Sequence, residues 1–172
     1  RRLTRRVQTW PSVVTVLLSF LSGSLPTGWL VARLYRVDIQ RAGSGNIGAT
    51  NVFRVLGKGP GIFVLLVDAA KGYVPARFMA GWVIQWFFET GATVPSGLTE
   101  YLPIAAGFAA ILGHVYTPWL QFKGGKGIAT AAGVLAAWIP LAFLIALMVW
   151  LLVFAFSGYV SLGSIIAAAI LP

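Results

Sequence analysis

Cysteine is absent from the 172 residues, and histidine occurs once, at His114. Disulfides, thiolate nucleophiles and cysteine metal sites are therefore excluded. A single histidine without a carboxylate cluster also argues against a zinc site. Charge is scarce: charged residues make up 10% of the chain, against about a quarter in an ordinary soluble domain. Negative charge is scarcest. Asp38, Asp68, Glu89 and Glu100 are the only carboxylate side chains, set against 13 lysines and arginines, so the net charge is +9.

Apolar residues are abundant, at 58% of the chain, and they occur in long runs. Such runs point to an integral membrane protein, an all-α polytopic bundle of about five to seven transmembrane helices, some of them broken. The first run, 12–35, is interrupted at Gly23-Ser24-Leu25-Pro26, where proline and glycine should kink it. A polar loop is expected over 36–58. The run 59–88 carries Asp68, Lys71 and Arg77, and Pro75 is expected to divide it or bend it strongly. Further apolar stretches run over 101–120, 128–139, 141–157 and onward to Pro172. The domain reading is a basic head, 1–11, followed by one transmembrane domain over 12–172.

Charge also sets an expected topology. If 59–88 crosses once, Arg33, Arg36, Arg41, Arg54, Lys58, Lys123 and Lys126 share one side, while the loop 89–100 carries only Glu89 and Glu100. The positive-inside rule places the basic side in the cytoplasm. The same count puts Arg1, Arg2, Arg5 and Arg6 outside, against the rule, unless the head lies on the membrane surface or follows a further segment. Nucleic acid is not the expected partner, because the cations do not line a soluble face.

Three glycine-rich segments interrupt the apolar runs. The first is Gly43-Ser44-Gly45-Asn46-Ile47-Gly48-Ala49-Thr50-Asn51. Its hydroxyls and amides can hydrogen-bond an anion, with Arg54 nearby to supply a guanidinium fork; a plain turn-rich connection is the bland alternative. The second, Phe122-Lys123-Gly124-Gly125-Lys126-Gly127, leads into a helix at Ile128. Free N–H groups at that helix start, with two lysines beside them, attract anions, although lysines that only set topology would look the same. It is not a P-loop, since neither the spacing nor a preceding strand is present. The third, Tyr159-Val160-Ser161-Leu162-Gly163-Ser164, also suits helix packing. His114, close before the second segment, is a candidate to bind a substrate hydroxyl or to act as acid or base. Asp68 and Lys71, three apart on an intramembrane helix, either neutralise each other or mark function.

Taken together, these segments resemble the bacterial acyl-phosphate:glycerol-3-phosphate acyltransferases, the PlsY family. The resemblance rests on Gly23 to Gly28, Gly43 to Val52 with Arg54, Asp68 with Lys71-Gly72, Gly113-His114 followed by Phe122 to Gly127, and Tyr159 to Leu162. It implies transfer of a fatty acyl group from acyl phosphate to the 1-hydroxyl of sn-glycerol 3-phosphate, giving lysophosphatidic acid and phosphate in phospholipid synthesis at the cytoplasmic face of the bacterial inner membrane. By resemblance, Ser44, Asn46 and His114 are the catalytic candidates. Gly45, Arg54, Lys123, Gly124, Gly125, Lys126, Gly127 and Ser161 are the candidates for holding substrate phosphate. Neither a cofactor nor a metal is implied. The histidine–aspartate dyad of soluble-type acyltransferases is absent, because Trp119 stands five positions after His114. Acyl phosphate is already activated, so direct transfer without an acyl-enzyme is expected.

Two departures from the family pattern stand out: the basic head, and an end at Pro172 where family members continue into a short polar tail with His and Asn. The domain 12–172 is accordingly expected to lack that tail. The competing readings are a small transporter for a phosphorylated metabolite, suggested by the broken helices and intramembrane charges, and a non-catalytic lipid-binding protein.

Overall fold

The computed structural model describes residues 10–89 and 96–170. Most of the basic head and positions 90–95 of the carboxylate-bearing loop lie outside them. The described residues are helical, with no strand among them. They form two compact units, one reaching to Val134 and the other from Leu135 onward.

In the first unit the opening apolar run breaks where proline and glycine forecast it, into α1 (Trp10–Gly23) and α2 (Thr27–Leu34). The break takes two carbonyls out of the helix ladder, and both draw donors from distant side chains, Leu25 O in addition to Thr27 N at 2.9 Å. Thr117 Oγ1 donates to Ser24 O at 2.6 Å, and Lys71 Nζ donates to Leu25 O at 2.7 Å. The run after Lys58 forms α4 (Lys58–Val74), a wide π turn (Pro75–Met79) and α5 (Ala80–Glu89). The expected division at Pro75 is thus a local widening. Proline cannot donate to the helix ladder and its ring crowds the preceding turn, and a π turn gives it room. Next come α6 (Ser96–Val115) and α7 (Ile128–Trp138), the latter belonging to this unit as far as Val134.

One element departs from expectation. Within the polar loop 36–58 lies a further helix, α3 (Ala49–Leu56), entered from Gly48 and closed at Gly57 with φ 92°. Eight residues make a marginal helix in isolation, so α3 depends on what it buries. Ala49 and Val52 join Val31, Ala32, Ile39, Ile47 and Val64 in one apolar cluster. Because Ile39 and Ile47 belong to that cluster, the first glycine-rich loop is pinned to the body of the unit at both ends.

The outer surfaces carry large apolar side chains, among them Leu17, Leu21, Phe63, Leu66, Phe108 and Leu112. A water-facing protein rarely exposes so much contiguous apolar surface, whereas lipid accepts it. Helix contacts use small residues instead, as membrane helices do. Gly113 of α6 lies against the Phe20 backbone of α1, and Gly133 of α7 against that of Ala69 in α4, each too close for a Cβ. By length and composition, 10–34 and the helix Pro140–Ser157 can each cross a membrane.

The second unit is a helix pair, α8 (Pro140–Ser157) and α9 (Val160–Ala169), joined at Gly158 with φ 72°. Gly163 rests on Trp150, whose indole N–H donates to Ser164 Oγ at 3.3 Å.

Candidate active site

The first loop is built around Asn51. This side chain accepts a hydrogen bond from Ser44 N at 2.8 Å and donates to the carbonyls of Asn46 (2.9 Å), Ala42 (3.0 Å) and Ile39 (3.4 Å). Asn46 Oδ1 in turn accepts from Gly48 N at 2.8 Å, a local turn that leads into α3. Just upstream, Asp38 accepts from Gln40 N at 3.2 Å and pairs with Arg41 Nε at 3.4 Å. That ion pair is exposed and therefore weak, about 1 kcal/mol or less, so the Arg41 guanidinium can move onto an anion at little cost.

The second loop folds back onto the end of α6. Gly124 N donates to Val115 O at 3.0 Å, and Gly125 N donates to His114 O at 3.1 Å. Two of the N–H groups expected to cradle phosphate are thereby occupied: they dock the loop. Gln121 and Phe122 both take left-handed backbone angles, φ 54° and 62°, directly before Lys123. Conformations of this kind in non-glycine residues cost on the order of 1–3 kcal/mol each and gather at functional sites.

Between the two loops opens a cavity of about 440 Å³, within the usual ligand-pocket range of roughly 300–1,000 Å³. Gln40, Arg41, Ser44, Gly45 and Asn46 line it from the first loop, and Lys123 and Gly124 from the second. Its lining carries two cations, a hydroxyl and two carboxamides, and no carboxylate. That chemistry selects an anion with oxygen acceptors, such as a phosphate.

The remaining candidates lie elsewhere. His114 is 4% exposed and does not line the cavity. Gly125 packs on its imidazole so closely that a Cβ would collide with Nε2. On its other side, Nδ1 lies 3.9 Å from Asp68 Oδ1, and Asp68 pairs with Lys71 at 2.8 Å. The buried carboxylate and amine thus pair with each other, and Lys71 also donates to the break after α1. Lys126 is exposed, and Gly127 (φ 76°) precedes the first turn of α7. Arg54 extends from the exposed side of α3 and forms no ion pair among the described residues. Ser161 is an exposed residue at the start of α9, in the second unit. Gln40 was not foreseen as a site residue, and Arg41 was foreseen only as a loop cation.

The sequence model of the family described as glycerol-3-phosphate acyltransferase matches residues 13–172. The chain belongs to the glycerol-3-phosphate acyltransferase family. A relative of that name from Geobacter sulfurreducens is 47% identical over 160 residues, covering 93% of this chain and 75% of the relative. One from Trichlorobacter lovleyi is 45% identical over 154 residues, covering 90% and 72%. Among solved structures, the glycerol 3-phosphate form of PlsY (YgiH), an integral membrane glycerol 3-phosphate acyltransferase, superposes with a TM-score of 0.77 at 38% identity, covering 92% of this chain and 73% of that one. Its lysophosphatidic acid form gives 0.73 at 39% identity, covering 91% and 71%. Family membership makes this chain an integral membrane acyltransferase, with the all-helical architecture forecast from its apolar runs.

Proposed function

We propose that the chain transfers an acyl group from acyl phosphate to the 1-hydroxyl of sn-glycerol 3-phosphate, and that the cavity between the two loops holds substrate phosphate. The observation that carries this reading is the cavity lining: Arg41 and Lys123 converge with Ser44 and Asn46, and no carboxylate lines the cavity. In the reaction, the glycerol oxygen bonds to the acyl carbonyl carbon and the bond from that carbon to the phosphate oxygen breaks. The hydroxyl proton passes to a phosphate oxygen, and inorganic phosphate leaves. The donor is already activated and Ser44 has no base beside it among the described residues, so positioning and neutralisation do the work without an acyl-enzyme. Arg54, which forms no ion pair among the described residues, is a further phosphate ligand in this reading. His114 contributes through Gly125, holding the second loop in place. The basic loops favour a cytoplasmic orientation of the site in the bacterial inner membrane, with the acyl chain lying against the lipid-facing helices.

Purified protein given acyl phosphate and glycerol 3-phosphate should yield lysophosphatidic acid and phosphate in equal amounts. Varying both substrates should give the intersecting lines of a ternary complex. Substrate counterflow in liposomes without product would overturn the acyl-transfer reading. A stoichiometric, chemically competent acyl adduct on Ser44 would overturn the direct mechanism.

A further inference from the structure

Asn51 does not line the cavity, yet five of the residues that do depend on it. It is 2% exposed, and its carboxamide is used at both ends. The carbonyls of Ile39 and Ala42, held by its Nδ2, flank Gln40 and Arg41. The Ser44 N–H, held by its Oδ1, and the Asn46 carbonyl, held by Nδ2, enclose Ser44, Gly45 and Asn46. Gly43, at φ +58°, passes so near that a Cβ there would strike Asn51 Oδ1. The amide itself is anchored, because Ala49 and Val52 beside it on α3 belong to the apolar cluster. One buried side chain therefore transfers the rigidity of that cluster to the anion-binding loop.

We infer that Asn51 is the positioning residue of the phosphate site, acting through Arg41 and Ser44 without touching substrate. The inference rests on the acyl-transfer reading of the cavity. A leucine would fill the space without the hydrogen bonds. An aspartate, nearly identical in shape, would set a carboxylate against three carbonyl oxygens and release them.

The test uses the full chain in detergent, with kcat and KM for both substrates and the melting temperature measured for each variant. Asn51→Ala and Asn51→Asp should each lower kcat/KM about 100-fold, the scale expected for a small misplacement of positioning groups. Val83→Ala, a buried change on α5 away from the loops, should lower the melting temperature while leaving kcat/KM within about twofold, since distant sites act independently. The decisive readout is coupling. Arg41→Ala should cost about tenfold in the native background but less than about twofold in Asn51→Ala, because residues acting as one unit are non-additive. If Asn51→Ala does not fold, Asn51→Ser, which keeps an acceptor for Ser44 N, carries the same cycle. Affinity for inorganic phosphate should also fall about tenfold in the Asn51 variants if loop order sets binding, a readout independent of turnover. Folded Asn51 variants with native kcat/KM and native phosphate affinity, or a full additive cost of Arg41→Ala, would overturn the inference. Native protein that forms no lysophosphatidic acid, yet loses phosphate affinity on Asn51→Ala, would instead overturn the acyl-transfer reading and leave the positioning role standing.

Discussion

At the scale of single residues, the site depends on close approach as much as on charge. Gly125 lies against the His114 imidazole while its N–H docks onto the His114 carbonyl. A branched side chain there must displace either the ring or the loop. Gly125→Val should therefore reduce kcat/KM for glycerol 3-phosphate by about 100-fold, with Lys123 intact, on the scale of a small displacement near the reacting groups. Lys123→Ala, which removes a lining cation but no packing, should chiefly raise KM, with the melting temperature unchanged. Steady-state kinetics and thermal melts on both variants check the pair, and native kinetics in Gly125→Val would remove the second loop from the site. Much of this was legible in the residues. Ser44, Gly45, Asn46, Lys123 and Gly124 are polar, glycine or cationic residues in an apolar chain, and that contrast survives without any structure. The docking role of Gly124 and Gly125 was not legible, because a glycine that leaves its N–H open to an anion reads the same as one that donates it to a neighbouring helix.

At the scale of elements, the break between α1 and α2 and the ion pair on α4 form one device. Asp68 and Lys71 are 2% and 7% exposed, and Lys71 also satisfies the Leu25 carbonyl. Lys71→Met would leave a buried carboxylate unpaired and remove one donor from the Leu25 carbonyl, which keeps Thr27 N at 2.9 Å; the loss is about 3–5 kcal/mol by the usual cost of breaking a buried pair. The double variant Asp68→Asn with Lys71→Met should recover part of that loss by removing the orphaned charge, while the Leu25 carbonyl keeps only its local donor on Thr27. Denaturation monitored by tryptophan fluorescence in detergent distinguishes the two; equal stability of the single and double variants would show the charge to be unimportant. Pro26 made the break readable from sequence, because proline acts locally. Helix α3 was not readable, since its eight residues are held by contacts with Ile39, Ile47 and Val64 that no local pattern reveals. Pro75 was readable as an interruption but not as a π turn, because neighbouring packing decides how a helix absorbs a proline.

At the scale of the whole molecule, the sequence spoke most clearly about class: long apolar runs and scarce charge have few other interpretations. The cavity brings the first and second loops together within the first unit, so both should open to the same side of the membrane. Cysteines introduced at Thr50 and Gln121, both exposed, should react with an impermeant maleimide from the same face of inverted vesicles. Reaction from opposite faces would separate the loops and dissolve the shared cavity. The pairing itself lay beyond sequence reading, because roughly eighty residues of intervening chain have to fold before the loops can meet.

The two carbonyls after α1 that draw distant donors also constrain how the protein is made. Leu25 gains its lysine donor 46 residues later in the chain, and Ser24 gains its threonine donor 93 residues later. A ribosome delivers the first span to the bilayer well before either donor has been synthesised. Leu25 has a local donor in Thr27 N meanwhile, but until the segment after α6 arrives with Thr117 the Ser24 carbonyl has to borrow water or a lipid headgroup as its partner. Biogenesis therefore ends on the same polar contacts that fix the first span, and an insertion intermediate truncated before Thr117 should be a better substrate for membrane proteases than the completed chain.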